Sequence, residues 1–309
     1  MRNATVFGMP FSFIWKVDPR GHRWIKGENG LLLVPNSGLD PAGRSPFDRH
    51  LRTYEPLLER TGLFRELASI AATKTEVQAF ADRFGLLGVG KTTVVKTESG
   101  LQSVRGESLA DWEQEILELK MAVQIWDMLN SGNSSSLNDL MRVLPKLLAS
   151  APPVVRRWLH LDKDDPAMAA LGFIQKAIDE RLSEGVAARL MFEGNAPRLH
   201  LSLMPENLRA ALWLQFAAAV DQLKKYEICA SCNRSFEISR APTTGKRPDA
   251  RFCSDRCRVA QHRKRKEEAR RLKSAGVPIK KIALRLNTTA ATVEGWIKPR
   301  TTNAKSGAA

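Results

Sequence analysis

Apolar residues recur along this chain with several distinct periods, and the periods change with position. Around Phe11–Val17 and Leu31–Pro35 they form short β-like runs separated by Gly, Asn and Asp, so residues 1–50 read as short strands and loops. From about Tyr54 the pattern becomes helical. Ser108 can cap a helix whose Trp112, Ile116, Leu119, Val123 and Trp126 make one apolar stripe. SGNSSS at 131–136 reads as a loop, and Asp165-Pro166 as the start of a helix to about Ser183. In 188–204, Leu199, Leu201 and Leu203 alternate with Arg198, His200 and Ser202, the period of a half-buried strand in a hairpin that turns at 193–197. Pro205 is expected to open a strongly apolar helix to about Leu223.

The fold class expected is α+β. A mostly helical N-terminal domain with small β elements, 1–223, precedes a four-Cys zinc finger, 224–265. A basic helix and helix-turn-helix follow at 266–300, then a disordered tail at 301–309. No run reaches the roughly 20 apolar residues of a membrane span, and the N-terminus lacks the features of a secretory signal. The expected location is therefore the cytoplasm, at the nucleoid, with no membrane partner.

Charge sharpens the boundary. Residues 224–309 hold 22 Lys+Arg against 7 Asp+Glu, whereas 1–223 hold 26 of each. The whole +15 excess sits at one end, as expected of a polyanion-binding module beside a neutral body.

The four cysteines, Cys229, Cys232, Cys253 and Cys257, lie in that basic end with the spacing C-x2-C-x20-C-x3-C. Two close pairs supply four thiolates, the donor set of a closed structural zinc site. The competing uses are unliganded thiols and a redox Cys-x-x-Cys pair; a reducing compartment and the matching second pair weigh towards one zinc ion. Tyr226–Ile228 reads as a strand, and Phe236–Ile238 with Ala250–Phe252 as hairpin arms. Ser254 and Asp255 read as caps of a helix with Cys257 in its first turn. His262 reads as a surface or phosphate-contacting residue.

The string RFCSDRCRVAQHRKRKEEARR resembles bacterial treble-clef zinc fingers, especially the CGNR-type fingers of transcription regulators. The resemblance spans about 226–272, with Arg258-Val259 after Cys257 where the name-giving motif has Gly-Asn-Arg. It implies a sensing domain followed by a DNA-binding finger. Downstream, SAGVPIKKIALRLNTTAATVEGWIKPR resembles the helix-turn-helix of bacterial repressors and of the C-terminal domain of serine recombinases. That resemblance puts Ile282, Ala283 and Leu286 inside the first helix, Asn287 at the turn, and Val293, Trp296 and Ile297 inside the second. Thr289, Ala290, Thr292, Glu294, Gly295 and Lys298 then fall on or near the outer side of a recognition helix.

The candidate nucleic-acid contacts are Arg256, Arg258, Arg263, Lys264, Lys266, Arg270, Lys273, Lys280, Lys281, Thr289, Thr292 and Lys298. Of these, Arg256, Arg263, Lys266, Arg270 and Lys273 fall within about 100° of one helix face. The expectation is a zinc-dependent regulator binding double-stranded DNA. RNA binding, an accessory role in a mobile element, and an enzyme with its site in 1–223 are the alternatives. Residues 1–223 have the bulk for a small-molecule effector pocket or a homodimer interface, and the sequence does not distinguish these. No catalytic set stands out there: His22, His50, His160 and His200 are scattered, and a capped helix start explains Asp162, Asp164 and Asp165. GLLGVGKT at 85–92 matches the phosphate-loop pattern, but a helix precedes it and a β-branched run follows, the reverse of a phosphate loop.

Overall fold

The computed structural model describes residues 5–6, 9–10, 13–27, 30–36, 51–97, 100–131, 142, 165–192, 199–238 and 246–298. The 132–136 part of the expected loop, the turn at 193–197, His50, His160, Asp162, Asp164 and the tail at 301–309 lie outside these residues. The chain is mixed helix and sheet and divides into two compact units, Met1–Tyr226 and Glu227–Ala309.

The first unit begins with short antiparallel pairs. These are β1 (Thr5–Val6) with β2 (Met9–Pro10), and β3 (Trp15–Val17) with β6 (Arg52–Tyr54). The main sheet is antiparallel, in the order β4 (His22–Gly27), β5 (Gly30–Pro35), β8 (Gly100–Ser108), β7 (Lys91–Thr97). Between β6 and β7 run α1 (Pro56–Glu59), α2 (Leu63–Ser69) and α3 (Lys74–Phe84). Of the strand-like runs in the first 50 residues, Leu31–Pro35 is strand and Phe11–Val17 is strand at Trp15–Val17 but not at Phe13–Ile14, and the helical pattern after Tyr54 is helix.

Three further helices of this unit lie among the described residues. In α4 (Leu109–Ser131) the Ser108 hydroxyl accepts the Asp111 amide at 3.1 Å, while the Asp111 carboxylate accepts the Ser108 amide at 2.9 Å. This reciprocal cap starts the helix where the serine predicts, and Trp112, Ile116, Leu119, Val123 and Trp126 are all buried. Asp165 likewise caps α5 (Pro166–Gly185), accepting from the Ala167 and Met168 amides at 2.9 and 3.1 Å. Helix α6 (Leu208–Asp221) is buried on nearly every face. Pro205 does not open it: Pro205 ends a strand, and Asn207 caps α6 by accepting the Ala210 amide. A side-chain acceptor for orphan amides outweighs the φ preference of proline here.

The expected hairpin exists as β9 (Val186–Phe192) and β10 (Leu199–Pro205), but its buried face differs. Leu199 and Leu201 are exposed, as are their cross-strand partners Phe192 and Leu190, whereas Ser202 is buried. Alternation fixes which residues share a face, and the packing layer decides how far that face is covered. Here only the base of the ribbon, at Leu203 and Pro205, meets the core.

The second unit starts with β11 (Lys225–Ile228), within which the division falls, paired with β12 (Ser235–Ile238). Phe236–Ile238 therefore takes β11 as its partner, and Ala250–Phe252 is not a strand. Instead, Ala230 donates its amide to the Arg251 carbonyl at 3.0 Å, and Ile238 bridges Lys246 in parallel. Three helices follow, α7 (Asp255–Ser274), α8 (Ile279–Arg285) and α9 (Ala290–Ile297). They share a small core of Ala269, Leu272, Ile282, Ala283, Val293 and Trp296.

Candidate metal centre and the helices beyond it

The first cysteine pair sits in a tight knuckle after β11. Cys229 donates its amide to the Arg234 carbonyl at 2.9 Å, and Asn233 donates to the Cys229 carbonyl at 3.0 Å. Asn233 adopts φ 56°, a left-handed conformation that asparagine tolerates better than most residues. The bond from Ala230 to Arg251 carries the second pair to the first. Ser254 then caps α7 by accepting the Cys257 amide at 3.2 Å, placing Cys257 in the first turn.

The four sulfur atoms converge: all lie within 4.8 Å of one another. The Cys232–Cys253 and Cys253–Cys257 Sγ separations are 3.6 and 3.5 Å, and none of the four is in a disulfide. A tetrahedral S4 shell around a metal at ~2.3 Å requires sulfur–sulfur edges of about 3.8 Å, so the cluster can hold a metal ion. Such a donor set suits zinc or iron. Burial pushes the Cys229 thiol up, but amides of Cys253, Ser231 and Cys232 outweigh it and bring it down to about 6. Burial and the neighbouring thiols push Cys253 up to about 12. The four sulfurs cannot all ionise cheaply without a cation among them.

Helix α7 extends from this cluster into the three-helix core. The candidate cations on it differ in what they do. Arg256, Arg263, Lys264 and Lys273 are exposed, and Lys266 is half-buried. Arg258 pairs with Asp255 at 3.1 Å. Arg270 is exposed, yet its Nε donates to the Trp296 carbonyl at 3.1 Å. Arg265, which sequence reasoning did not single out, donates to the Leu286 carbonyl and, at 3.1 Å, to the Asn287 carbonyl. Its guanidinium also lies 5.5 Å from the Trp296 ring centroid. Exposed His262 meets the same ring edge-on, 5.6 Å between centroids.

The turn between α8 and α9 closes as the sequence leads one to expect. Asn287 has φ 46°, its amide bonds the Leu284 carbonyl, and the Thr288 amide bonds the Ala283 carbonyl. This is the doubly bonded C-cap that favours Gly or Asn. Val293 and Trp296 are buried and Ile297 is half-buried. Ala290 packs against the core instead of facing out. Thr289 caps α9, accepting the Thr292 amide at 3.2 Å, with the two hydroxyls 2.8 Å apart. Lys280, Lys281 and Lys298 are exposed.

In the first unit, the glycine-rich loop after α3 is an amide nest filled by the protein's own carboxylate. Buried Glu107 accepts from Leu87, Gly88 and Val89 amides at 3.0, 2.6 and 3.0 Å. Gly88 has φ 84°, and a Cβ there would lie 2.6 Å from Asn207 Cβ. Helix precedes this loop and strand follows, the order that sets it apart from a phosphate loop. A second cluster joins α4, α5 and α6. Arg181 pairs with Glu118, with Glu184 at 2.8 Å and with Glu115 at 3.8 Å; Arg209 pairs with Glu184 at 3.0 Å; the Trp213 indole donates to Glu115. Arg181, Glu115 and Glu118 are buried, and Glu184 carries the cluster out to the surface. His22 is buried against Asp82, 3.1 Å away.

Among the described residues, no helix is long and apolar enough to cross a membrane. Comparison with protein-family models, with curated proteins and with solved structures returned no match.

Proposed function

We propose that the second unit is a zinc-organised module that binds duplex DNA, within a transcription regulator. The four cysteines would hold one structural zinc ion in a treble-clef arrangement, and α8–α9 would act as a helix-turn-helix. The observation that carries this reading is one helix that carries Cys257 of the four converging cysteines in its first turn and shares a core with a helix pair further along. The ion would supply folding energy and fix the direction of α7. Arg256, Arg263, Lys266 and Lys273 would follow phosphates from one side of that helix. Residues Thr292, Glu294, Gly295 and Lys298 of α9 and its end would face the major groove.

Duplex DNA is favoured over single strands or RNA loops by the placement of aromatic side chains. Base stacking needs exposed rings. Phe236 and Trp296 are buried and Phe252 is half-buried. Tyr226 stacks edge-on against Phe64, with Arg65 over its ring. The test is a genome-wide map of bound DNA for the wild type and for Cys253→Ser. Joint loss of zinc and occupancy supports the reading; occupancy kept without zinc contradicts it.

A further inference from the structure

The last carbonyls of a helix have no partner within it and need donors from elsewhere. In the second unit both ends are served from one helix. Arg265 of α7 donates to Leu286 and Asn287, at the end of α8, and Arg270 donates to Trp296, in the last turn of α9. A cation at a helix C-terminus also meets the negative end of the helix dipole. Arg265 makes two bonds to carbonyls of the α8–α9 turn and stacks over Trp296, so it touches both helices at once. Both bonds leave one nitrogen, Nη2, and the guanidinium at the same time covers the Trp296 ring; a lysine ammonium has no planar face to stack on the indole while it reaches the carbonyls.

We infer that Arg265 is a positioning residue of the DNA-binding module. It holds α9 at a fixed angle to the helix that carries Cys257 and itself makes no contact with DNA. This rests on the proposed function above and adds how metal loading at one end of α7 sets the presentation of α9 at the other.

The role separates from a phosphate contact by its signature. A phosphate-binding cation supports all sequences alike and steepens the salt dependence, by about one unit of log–log slope per contact. A positioning residue supports discrimination between sequences. The experiment uses the zinc-loaded full chain, with two probes: a duplex that the wild type enriches from a random pool, and random duplex. Arg265→Ala should keep one zinc per chain and the wild-type salt slope. It should lose roughly tenfold in affinity for the enriched duplex, the scale of one charged hydrogen bond, with random duplex unchanged. Arg265→Lys should fail to restore the loss, and Arg265→Gln, which keeps one planar donor, should fall between. Lys266→Ala is the contrast, weakening both probes with a flatter slope.

The inference is overturned if Arg265→Ala weakens both probes equally with a flatter slope, if Arg265→Lys restores affinity, or if Arg265→Ala changes neither probe. Should Arg265→Ala lose zinc or helix content, Arg265→Gln decides: full discrimination in that variant overturns it. A wild-type chain that binds duplex without enriching any sequence overturns the specific-reader proposal beneath it, an outcome visible before any variant is made.

Discussion

The Ser254 hydroxyl accepts the Cys257 amide at 3.2 Å, so the residue that starts α7 also fixes the last cysteine of the cluster. Cap and cysteine are three residues apart, so the hydrogen bond that starts the helix also holds the Cys257 backbone beside the cluster. Ser254→Ala should therefore weaken metal retention as well as the helix, by about 1 kcal/mol in the cap alone. Competition with a coloured zinc chelator measures this; unchanged retention contradicts it.

Asn287 occupies a left-handed turn position, φ 46°. Asn287→Gly should be neutral or slightly stabilising, and Asn287→Val should destabilise by roughly 1–2 kcal/mol. Denaturant unfolding of the full chain, followed by amide exchange in α8–α9, reads the difference.

Breaking the buried cluster in the first unit should be costly. Arg181 is 4% exposed and Glu118 0%. Arg181→Met leaves carboxylates without their partner and should cost about 3–5 kcal/mol, measured as a shift of the first unit's unfolding midpoint. Replacing Arg181 and Glu118 together by apolar residues should cost less than Arg181→Met alone.

Burial raises the Glu107 carboxyl from 4.5 to about 7 despite its three amide donors, and burial raises Glu115 to about 7 against the pull of Arg181. An acid whose folded pKa exceeds its unfolded value contributes stability that is present at low pH and lost as pH rises through the folded value. The first unit should thus melt at lower temperature at pH 8 than at pH 6.5. Burial lowers His22, which opposes this trend only below its ordinary 6.5. Calorimetry from pH 6.5 to 8 should show a smaller decline for Glu107→Gln; an equal decline contradicts the assignment.

What could be read in the sequence is what depends on near neighbours. The α4 stripe, the Asp165 and Ser254 caps, the Asn287 turn and the cysteine spacing all state their geometry within a few residues. Other features depended on partners distant in sequence. The alternation at Leu199–Leu203 was plain, but nothing local says that the ribbon outruns its core. The competition between Ala250–Phe252 and β11 for β12 is likewise settled by packing. Glu107 filling the 87–89 nest, and Arg265 serving carbonyls 21 and 22 residues away, left no periodic trace. In a run as basic as 263–266, a bracing arginine looks the same as a phosphate contact until its acceptors are placed.

Affinity of the full chain for duplex DNA, with and without metal and over a range of salt, decides whether the second unit is a metal-dependent DNA binder. With about four to seven phosphate contacts from the exposed cations of the second unit, the zinc-loaded chain should show a log–log salt slope of roughly −4 to −6. Chelation should abolish that binding, and added zinc should restore it. Equal affinity with and without metal, or no binding to duplex when zinc is loaded, would contradict the account.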